Sequence, residues 1–192
     1  MTAKIKLNAA SGGGSFSLQA PSSSSNNRVM TLPDTADGTV LTSTNPKSGS
    51  IIQVTQGTTS TEKTFTTASF VASNLSATIT PTLASSKILI YASFLVDNQA
   101  SGRQIMVALF RSINGGTFTN ISGGSNTAAV GTFGGSSRII ETSSVVRLDT
   151  PSYSVGNSIV YKLYGLSESA SGAVIISGQG TESVMVLQEV AA

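Results

Sequence analysis

The fold is decided by the stretch Lys87-Ile88-Leu89-Ile90-Tyr91-Ala92-Ser93-Phe94-Leu95-Val96. It is a long apolar run that, as a β-strand, would have apolar side chains on both of its faces. Its even-numbered residues form one apolar face of a β-strand, since side chains alternate across a strand. The odd-numbered Leu89, Tyr91 and Leu95 make the opposite face apolar as well. The run is far shorter than the roughly 20 residues that a membrane-spanning helix needs. We therefore predict a β-strand that must be covered on both faces.

Two further segments share this two-faced pattern. In residues 104–111 the odd-numbered apolar residues lie on one face of the predicted strand, and Met106 and Phe110 lie on the opposite face. In residues 183–190, Val184 and Val186 lie on one face, and Met185 and Leu187 lie on the opposite face. A monomeric antiparallel sheet normally presents one polar face to water. With no helices predicted, another subunit is the expected cover, because a large exposed apolar patch usually marks an interface. The alternative is that loops of the same subunit shield these strands. The residues predicted at the subunit interface are Leu89, Tyr91, Leu95, Met106, Phe110, Met185 and Leu187.

From about residue 51 onward, segments rich in Ile, Val, Thr and aromatic residues alternate with Gly, Asn and Ser clusters that are typical of turns. No segment has the apolar stripe of an amphipathic helix. About ten strands in this length predict an all-β fold, an antiparallel β-sandwich with a jelly roll as the expected topology. The predicted strands are 51–56, 63–71, 77–80, 87–96, 104–111, 117–121, 139–148, 158–166, 173–177 and 183–190.

Residues 1–50 differ in composition from the predicted head domain, residues 51–192. They contain Gly12-Gly13-Gly14, the run Ser22-Ser23-Ser24-Ser25-Asn26-Asn27 and three of the five prolines. Their apolar residues are too few to offset about 1–2 kcal/mol of backbone entropy per residue. Short alternating segments at 4–7, 15–19 and 28–32 nevertheless predict strands that need a partner surface. We interpret residues 1–50 as an extended arm that docks on another chain; the alternative is that they join the same sheet as the head.

Composition excludes several classes of chemistry. The 192 residues include no Cys and no His, so a disulfide framework, a thiol nucleophile and a Ser-His-Asp triad are all impossible. A net charge of +2 is too small for a surface that tracks nucleic-acid phosphates. The nine acidic residues show no metal-ligand spacing, and pairs drawn from Asp97, Glu141, Asp149 and Glu168 lack the clustering of a glycosidase site. We expect no catalytic activity, cofactor, metal, nucleic-acid partner or membrane insertion.

Polar loops offer candidate binding residues, because loops on a rigid scaffold commonly carry function. Amide, carboxylate and guanidinium side chains beside an aromatic ring suit a neutral glycan, although any polar loop contains such residues. The glycine-rich segment Gly131-Thr132-Phe133-Gly134-Gly135 has no basic residue or helix to cradle a phosphate, and we interpret it as a mobile turn. The residues predicted to bind a receptor are Asp97, Asn98, Arg103, Asn114, Asn120 and Tyr153.

The arm carries three motifs: Leu18-Gln19-Ala20-Pro21, then Arg28-Val29-Met30-Thr31-Leu32-Pro33-Asp34, then Asp37-Gly38-Thr39-Val40-Leu41. This series resembles a segment of tail-fibre-like virion structural proteins of tailed bacteriophages, notably phages of marine bacteria and cyanobacteria. Residues 75–81, followed by Ser85-Ser86-Lys87-Ile88-Leu89-Ile90, resemble the start of the β-domain in that group. The motif is low in complexity and recurs in proteins from different positions in the particle.

The resemblance implies a homotrimer in the virion, made in the host cytoplasm, with the arm held by other virion proteins. The residues that it assigns to anchoring are Leu18, Pro21, Arg28, Leu32, Pro33 and Asp34. The chain departs from long fibres in having no repeat and no coiled-coil shaft. This departure favours a short tail fibre or tail appendage whose β-domain binds a host surface glycan or protein. The alternative is a capsid decoration protein or head fibre that needs no host ligand.

Overall fold

The computed structural model describes residues 4–27, 29, 41–42, 45–99, 104–123, 128–133, 137–168 and 174–192. The chain divides into two units, Met1–Val40 and Leu41–Ala192. In the first unit, β1 (Lys4–Asn8) pairs antiparallel with β2 (Ser15–Gln19) to form a hairpin. Its loop contains Gly12 and Gly13 at positive φ, which glycine adopts at little cost. The predicted strands at 4–7 and 15–19 are therefore present, whereas residue 28 and residues 30–32 of the third segment lie outside the described residues.

The second unit contains eleven described strands and one short 3-10 turn, Gly178–Gly180. No α-helix occurs in the described part of the chain, and every strand pairing is antiparallel. The prediction of an all-β, antiparallel fold is thus confirmed. The strands are β3 (Ile51–Thr59), β4 (Lys63–Phe65), β5 (Val71–Ile79), β6 (Lys87–Asn98), β7 (Gln104–Ile113), β8 (Thr119–Asn120), β9 (Val130–Phe133), β10 (Ile139–Asp149), β11 (Ile159–Ser167), β12 (Val174–Ile176) and β13 (Ser183–Val190).

These strands form two sheets. In the six-stranded sheet, β6 pairs with β10 along one edge and with β13 and β12 along the other, while β3 and β4 extend the sheet beyond β13 and β12. In the five-stranded sheet the order is β5-β11-β7, and β8 and β9 both pair with the free edge of β7. The two sheets enclose one hydrophobic core to which β6 contributes its even-numbered face, including Ile88, Ile90 and Phe94.

The sheets come closest along β3 and β5. Gln53 and Thr55 of β3 donate side-chain hydrogen bonds to the backbone carbonyls of Thr80 and Thr78, at 2.8 and 2.9 Å. A Cβ atom on Gly57 would lie 1.9 Å from the carbonyl oxygen of Ser76, so only glycine permits this approach. Residues 49 and 50, which the sequence assigned to the arm, pair by backbone hydrogen bonds with Ala191 beside the end of β13.

Two local predictions were wrong. The strand predicted over 63–71 ends at Phe65, and β5 starts at Val71 instead of at residue 77. Between them the Thr67 hydroxyl donates to the carbonyl of Ser69 at 3.0 Å, a local turn that Thr favours and that strand propensity does not register. The segment interpreted as a mobile turn at Gly131-Thr132-Phe133 belongs to β9, which pairs with the start of β7. Gly131 lowers the strand propensity of this segment, so an argument from propensity did not identify it as a strand.

Candidate functional site

The main candidate site is the face of the six-stranded sheet that points away from the core, which we call the outer face. Cross-strand neighbours share a face, so the register places Val146 and Val186 on either side of Tyr91, and Leu148 beside Leu89. Nine large apolar side chains of the second unit are exposed among the described residues, and six of them lie on this face. The six, between 44% and 65% exposed, are Ile51, Val54, Tyr91, Ile140, Val146 and Leu148.

The outer face is also uncharged over most of its area. Half-buried Leu89, Leu95, Val184, Val186 and Val190 lie on the same face. Across β3, β13, β6 and β10, the described outward-facing residues between Lys87 at one end and the Asp97–Arg138 ion pair at the other carry no charge. The outward-facing residues also include six uncharged polar ones, Gln56, Thr58, Ser93, Thr142, Ser144 and Gln188. An uncharged face with this many exposed large apolar side chains is typical of a protein–protein interface. The predicted interface residues Leu89, Tyr91 and Leu95 lie on it.

Two of the predicted interface residues were wrong. Met185 and Leu187 are fully buried in the core, because their register partners are Ala92 and Ile90 on the inner face of β6. The outward residues of β13 are Val184, Val186 and Val190. Since β13 is apolar on both faces, alternation alone could not decide which set points outward. Pairing with β6 decides it.

The remaining predicted interface residues, Met106 and Phe110, lie half-buried on the other sheet. There Phe110 stacks on Tyr164 with ring centroids 3.9 Å apart and meets Phe70 edge-on at 5.8 Å. Phe118 lies 5.8 Å from Tyr164. Burial raises the pKa of Tyr164, as expected for a ring covered by its neighbours. The five-stranded sheet thus shields this surface with its own aromatic rings, in contrast to the outer face, where six large apolar side chains are exposed.

A buried carboxylate fixes one end of the domain. Glu189 is fully buried and accepts hydrogen bonds from Gln53 Nε2 at 2.7 Å, from the Ser86 hydroxyl at 2.8 Å and from the backbone N–H groups of Thr82 and Leu83 at 3.0 Å. The Thr82 hydroxyl donates a further bond. Burial alone would raise the pKa of Glu189, but these donors outweigh it and lower the pKa. The donors come from β3 and from the loop between β5 and β6, so Glu189 holds that loop against β13.

This arrangement predicts loss of stability in acid. The unfolded chain titrates Glu189 near its ordinary pKa of 4.5, while the folded pKa lies below it. Its contribution is therefore complete above that value and is lost as the pH falls through the lowered folded pKa. We expect the unfolding free energy of the wild-type protein to fall between about pH 5 and pH 3, and the fall to be shallower in Glu189→Gln. Denaturant titrations at each pH measure this; an identical slope in Glu189→Gln, or an altered slope in the exposed control Glu182→Gln, would contradict it.

The prediction that Asp97 and Asn98 bind a receptor from an exposed loop was wrong. Both are fully buried at the end of β6. Arg138 Nε donates to Asp97 at 2.8 Å, and Gln99 Nε2 donates at 3.2 Å, so the Arg138 and Gln99 hydrogen bonds hold the pKa of Asp97 below its ordinary value despite burial. Gly178, in the connection between β12 and β13, packs against the Asp97 side chain. This connection covers the end of β6, and a covered carboxylate cannot meet an external ligand.

The other predicted receptor-binding residues do not form one cluster. Asn114 is exposed in the turn after β7, and its N–H donates to the carbonyl of Ser158 at 2.7 Å. Half-buried Asn120 accepts a hydrogen bond from the backbone of Ser122 at 2.9 Å. The Tyr153 hydroxyl donates to the carbonyl of Leu83 at 2.6 Å and so supports the loop that Glu189 holds. Arg103 lies outside the described residues.

Of the residues predicted to anchor the arm, Leu18 lies in β2 with 43% of its surface exposed, and Pro21 is exposed after that strand. The predicted anchoring residues Arg28, Leu32, Pro33 and Asp34 lie outside the described residues. The sequence predicted the two strands of this hairpin, but it did not predict that they pair with each other.

The acidic residues considered for catalysis are engaged in structural contacts. Asp149 accepts two hydrogen bonds from Arg111 Nη1, at 2.7 and 2.9 Å, and a third from the Tyr161 hydroxyl at 2.8 Å. Burial raises the pKa of Tyr161 well above its ordinary value, and the Asp149 carboxylate raises it further. Glu168 accepts the backbone N–H of Gln104 at 3.1 Å. Among the residues that the structure describes, no three acidic side chains gather as metal ligands would, and no helix has the length and apolarity to cross a membrane.

No family model matches the sequence, and no curated protein resembles it significantly.

Proposed function

We propose that this chain is a structural component of a bacteriophage particle, a short homotrimeric tail fibre or tail appendage. In this proposal the arm attaches to other virion proteins and the β-domain contacts the host surface. The sequence resemblance in residues 18–41 and 75–90 supports the assignment to a phage particle. The observation that carries self-association is the uncharged outer face, with six of the nine exposed large apolar side chains of the second unit.

The size of the outer face suits such an interface. Four strands spaced about 4.8 Å apart and nine residues long give a flat footprint of roughly 600 Å². A standard stable complex buries about 800 Å² of accessible surface on each partner, and accessible area exceeds a flat footprint because side chains project from the sheet. Soluble homo-oligomers close by rotational symmetry, and the resemblance favours three copies around one axis. We therefore place the outer faces of three copies around that axis.

We further propose that the β-domain is a jelly roll. The strand orders support this: β3-β13-β6-β10 in one sheet and β5-β11-β7-β8 in the other. Successive strands alternate between the sheets, from β5 to β6 to β7 and again from β10 to β11, and the first and last strands of the unit lie side by side. Two interleaved four-stranded sheets are the arrangement of a jelly roll.

The turn that carries Asn114 lies at the end of the domain where the chain enters from the arm, because Asn114 bonds to Ser158, Tyr153 of the same connection bonds to Leu83, and residues 49 and 50 pair with Ala191 beside the end of β13. Since the arm attaches to the virion in this proposal, host contact is assigned to the opposite end of the domain, where exposed Glu62 and Gln179 lie. Exposed loops on a rigid sheet are where recognition commonly occurs.

Adsorption competition tests this function. Purified full-length protein is expected to reduce adsorption of the phage that carries it, because it occupies the host receptor without delivering a particle. The same protein should be present at a few copies per particle at the tail when its amount is measured against the major capsid protein. Absence of competition at saturating protein, together with many copies spread over the capsid, would instead establish a decoration protein.

A further inference from the structure

A cavity of about 200 Å³ lies between β10 of the six-stranded sheet and, from the five-stranded sheet, β7 with residues that follow β8. Among the described strands β10 pairs only with β6, so its other edge has no strand partner. Pockets for drug-sized ligands measure about 300–1,000 Å³, so a ligand in this smaller cavity must itself be small. The residues that line it include Leu109, Ser122, Ala128, Ala129, Val145 and Arg147.

Arg147 reaches this cavity from the inner face of β10. Its register partner is Ile90, a buried residue on the inner face of β6, so the Arg147 side chain points between the two sheets. Its Nη1 donates a hydrogen bond to the carbonyl of Ser122 at 3.0 Å, whereas its Nε is buried without a partner and its Nη2 bonds to no described residue. Buried donors are nearly always hydrogen-bonded in native proteins, so this guanidinium is short of acceptors.

The positive charge of Arg147 is not balanced by any described acidic residue, since no ion pair joins it to one. Asp149 lies two residues further along the same face of β10. It accepts hydrogen bonds from Arg111 and from the Tyr161 hydroxyl. Arg111 and Arg147 thus lie near one carboxylate that Arg111 already holds, which leaves an unpaired positive charge beside the cavity.

Ser122 brings a second donor to the cavity. Its Oγ accepts a hydrogen bond from the N–H of Leu109 at 2.7 Å, and its hydroxyl proton has no acceptor within the described part of the chain. Its carbonyl holds the Arg147 guanidinium, so the two available donors lie close together. Apart from the hydroxyl of Ser144, the other described lining side chains are apolar. The side chains of the cavity therefore offer donors and a positive charge, and a ligand must supply the acceptors.

We propose that this cavity binds a small carboxylate-bearing molecule. A carboxylate supplies both the missing negative charge and the missing acceptors, and its hydrogen bonds with a guanidinium are stronger than those between neutral groups. One of its oxygens accepts from Arg147 Nη2 and the other accepts from the Ser122 hydroxyl. A neutral ligand would leave the charge of Arg147 unpaired, and a cation would be repelled by it.

Calorimetric titration of the full-length protein with sodium glucuronate tests the site, in a buffer with chloride as its only other anion. Glucose is the matched neutral probe, because it carries a hydroxymethyl group in place of the carboxylate. We expect saturable binding of glucuronate and none of glucose. Arg147→Gln should weaken glucuronate binding by about tenfold or more, since a hydrogen bond from a charged donor is lost. Lys47→Gln is the matched control, because it removes the same charge from an exposed residue outside the cavity lining.

A second pair of variants tests the site without removing Arg147 and so without risk to its structural contact. Ala129 is exposed and lines the cavity, so Ala129→Asp adds a negative charge there and should also weaken glucuronate binding by about tenfold. Ala129→Asn, of the same size and uncharged, should bind as the wild type does. The site is overturned by absence of saturable glucuronate binding to the wild type, by equal binding of glucose, or by undiminished binding in both Arg147→Gln and Ala129→Asp.

Discussion

Replacing Glu189 with alanine is expected to lower the free energy of unfolding by about 3–5 kcal/mol, because it removes a buried carboxylate that accepts hydrogen bonds from four residues, and each bond to a charged group contributes about 1.5–3 kcal/mol. The carboxylate accepts bonds from Gln53, Thr82, Leu83 and Ser86, and it is fully buried. Without it, two backbone N–H groups, an amide and two hydroxyls lose their acceptor, and one of these groups, the Ser86 hydroxyl, belongs to a buried residue. Two of the donors, at Thr82 and Leu83, are backbone groups that cannot turn away without moving the loop.

Thermal and denaturant unfolding at fixed protein concentration measure this effect. The melting temperature should fall by roughly 10 °C or more, given 2–4 °C per kcal/mol for a domain of this size. Glu182→Ala is the matched control, because it removes the same charge from an exposed residue just before β13, and it should change stability by less than about 0.5 kcal/mol. Equal stability of the two variants would show that the Glu189 hydrogen bonds do not hold the loop.

The second large effect is expected on association. Val146 is 65% exposed on the outer face and pairs with Tyr91, so a monomer should accept a charge there with little cost. In the proposed trimer, Val146→Glu would bury three carboxylates without partners near the axis. An uncompensated buried charge costs several kcal/mol, so association should weaken by about 100-fold or more.

Light scattering over a range of concentrations, with circular dichroism to verify folding, measures this loss. Val155→Glu is the matched control, because Val155 is a valine of similar exposure, 56%, in the connection between β10 and β11 and away from the outer face. It should leave the oligomer intact. A Val146→Glu protein that stays oligomeric at low micromolar concentration would remove the outer face from the interface.

The sequence could predict much of the fold, because period-two patterning and turn residues carry that information locally. The odd and even faces of β6 were separated correctly from alternation, and its inner residues Ile88, Ile90 and Phe94 form the core. For β13 the same reasoning failed, because both faces are apolar and only register against β6 turns Met185 and Leu187 inward. Register depends on residues distant in the chain, which a single segment does not encode.

The polar contacts could not be predicted for a related reason. In the sequence, Glu189 is an ordinary acidic residue near the end of a predicted strand. Its donors Thr82, Leu83 and Ser86 lie more than 100 residues away along the chain. Asp97 reads as a loop residue, yet the connection after β12 covers it and Arg138 pairs with it. Its polar type and its place beside a turn led to the prediction that Asp97 binds a receptor, whereas the Asp97 side chain makes contacts within the domain.

The mass of the full-length protein in solution tests the central claim most directly. Light scattering across micromolar concentrations is expected to give three times the 19.5 kDa mass of the chain, because in the proposed trimer neighbouring copies cover the outer faces. A mass of 19.5 kDa throughout that range would contradict it, and the outer face would then be an exposed surface of a monomer.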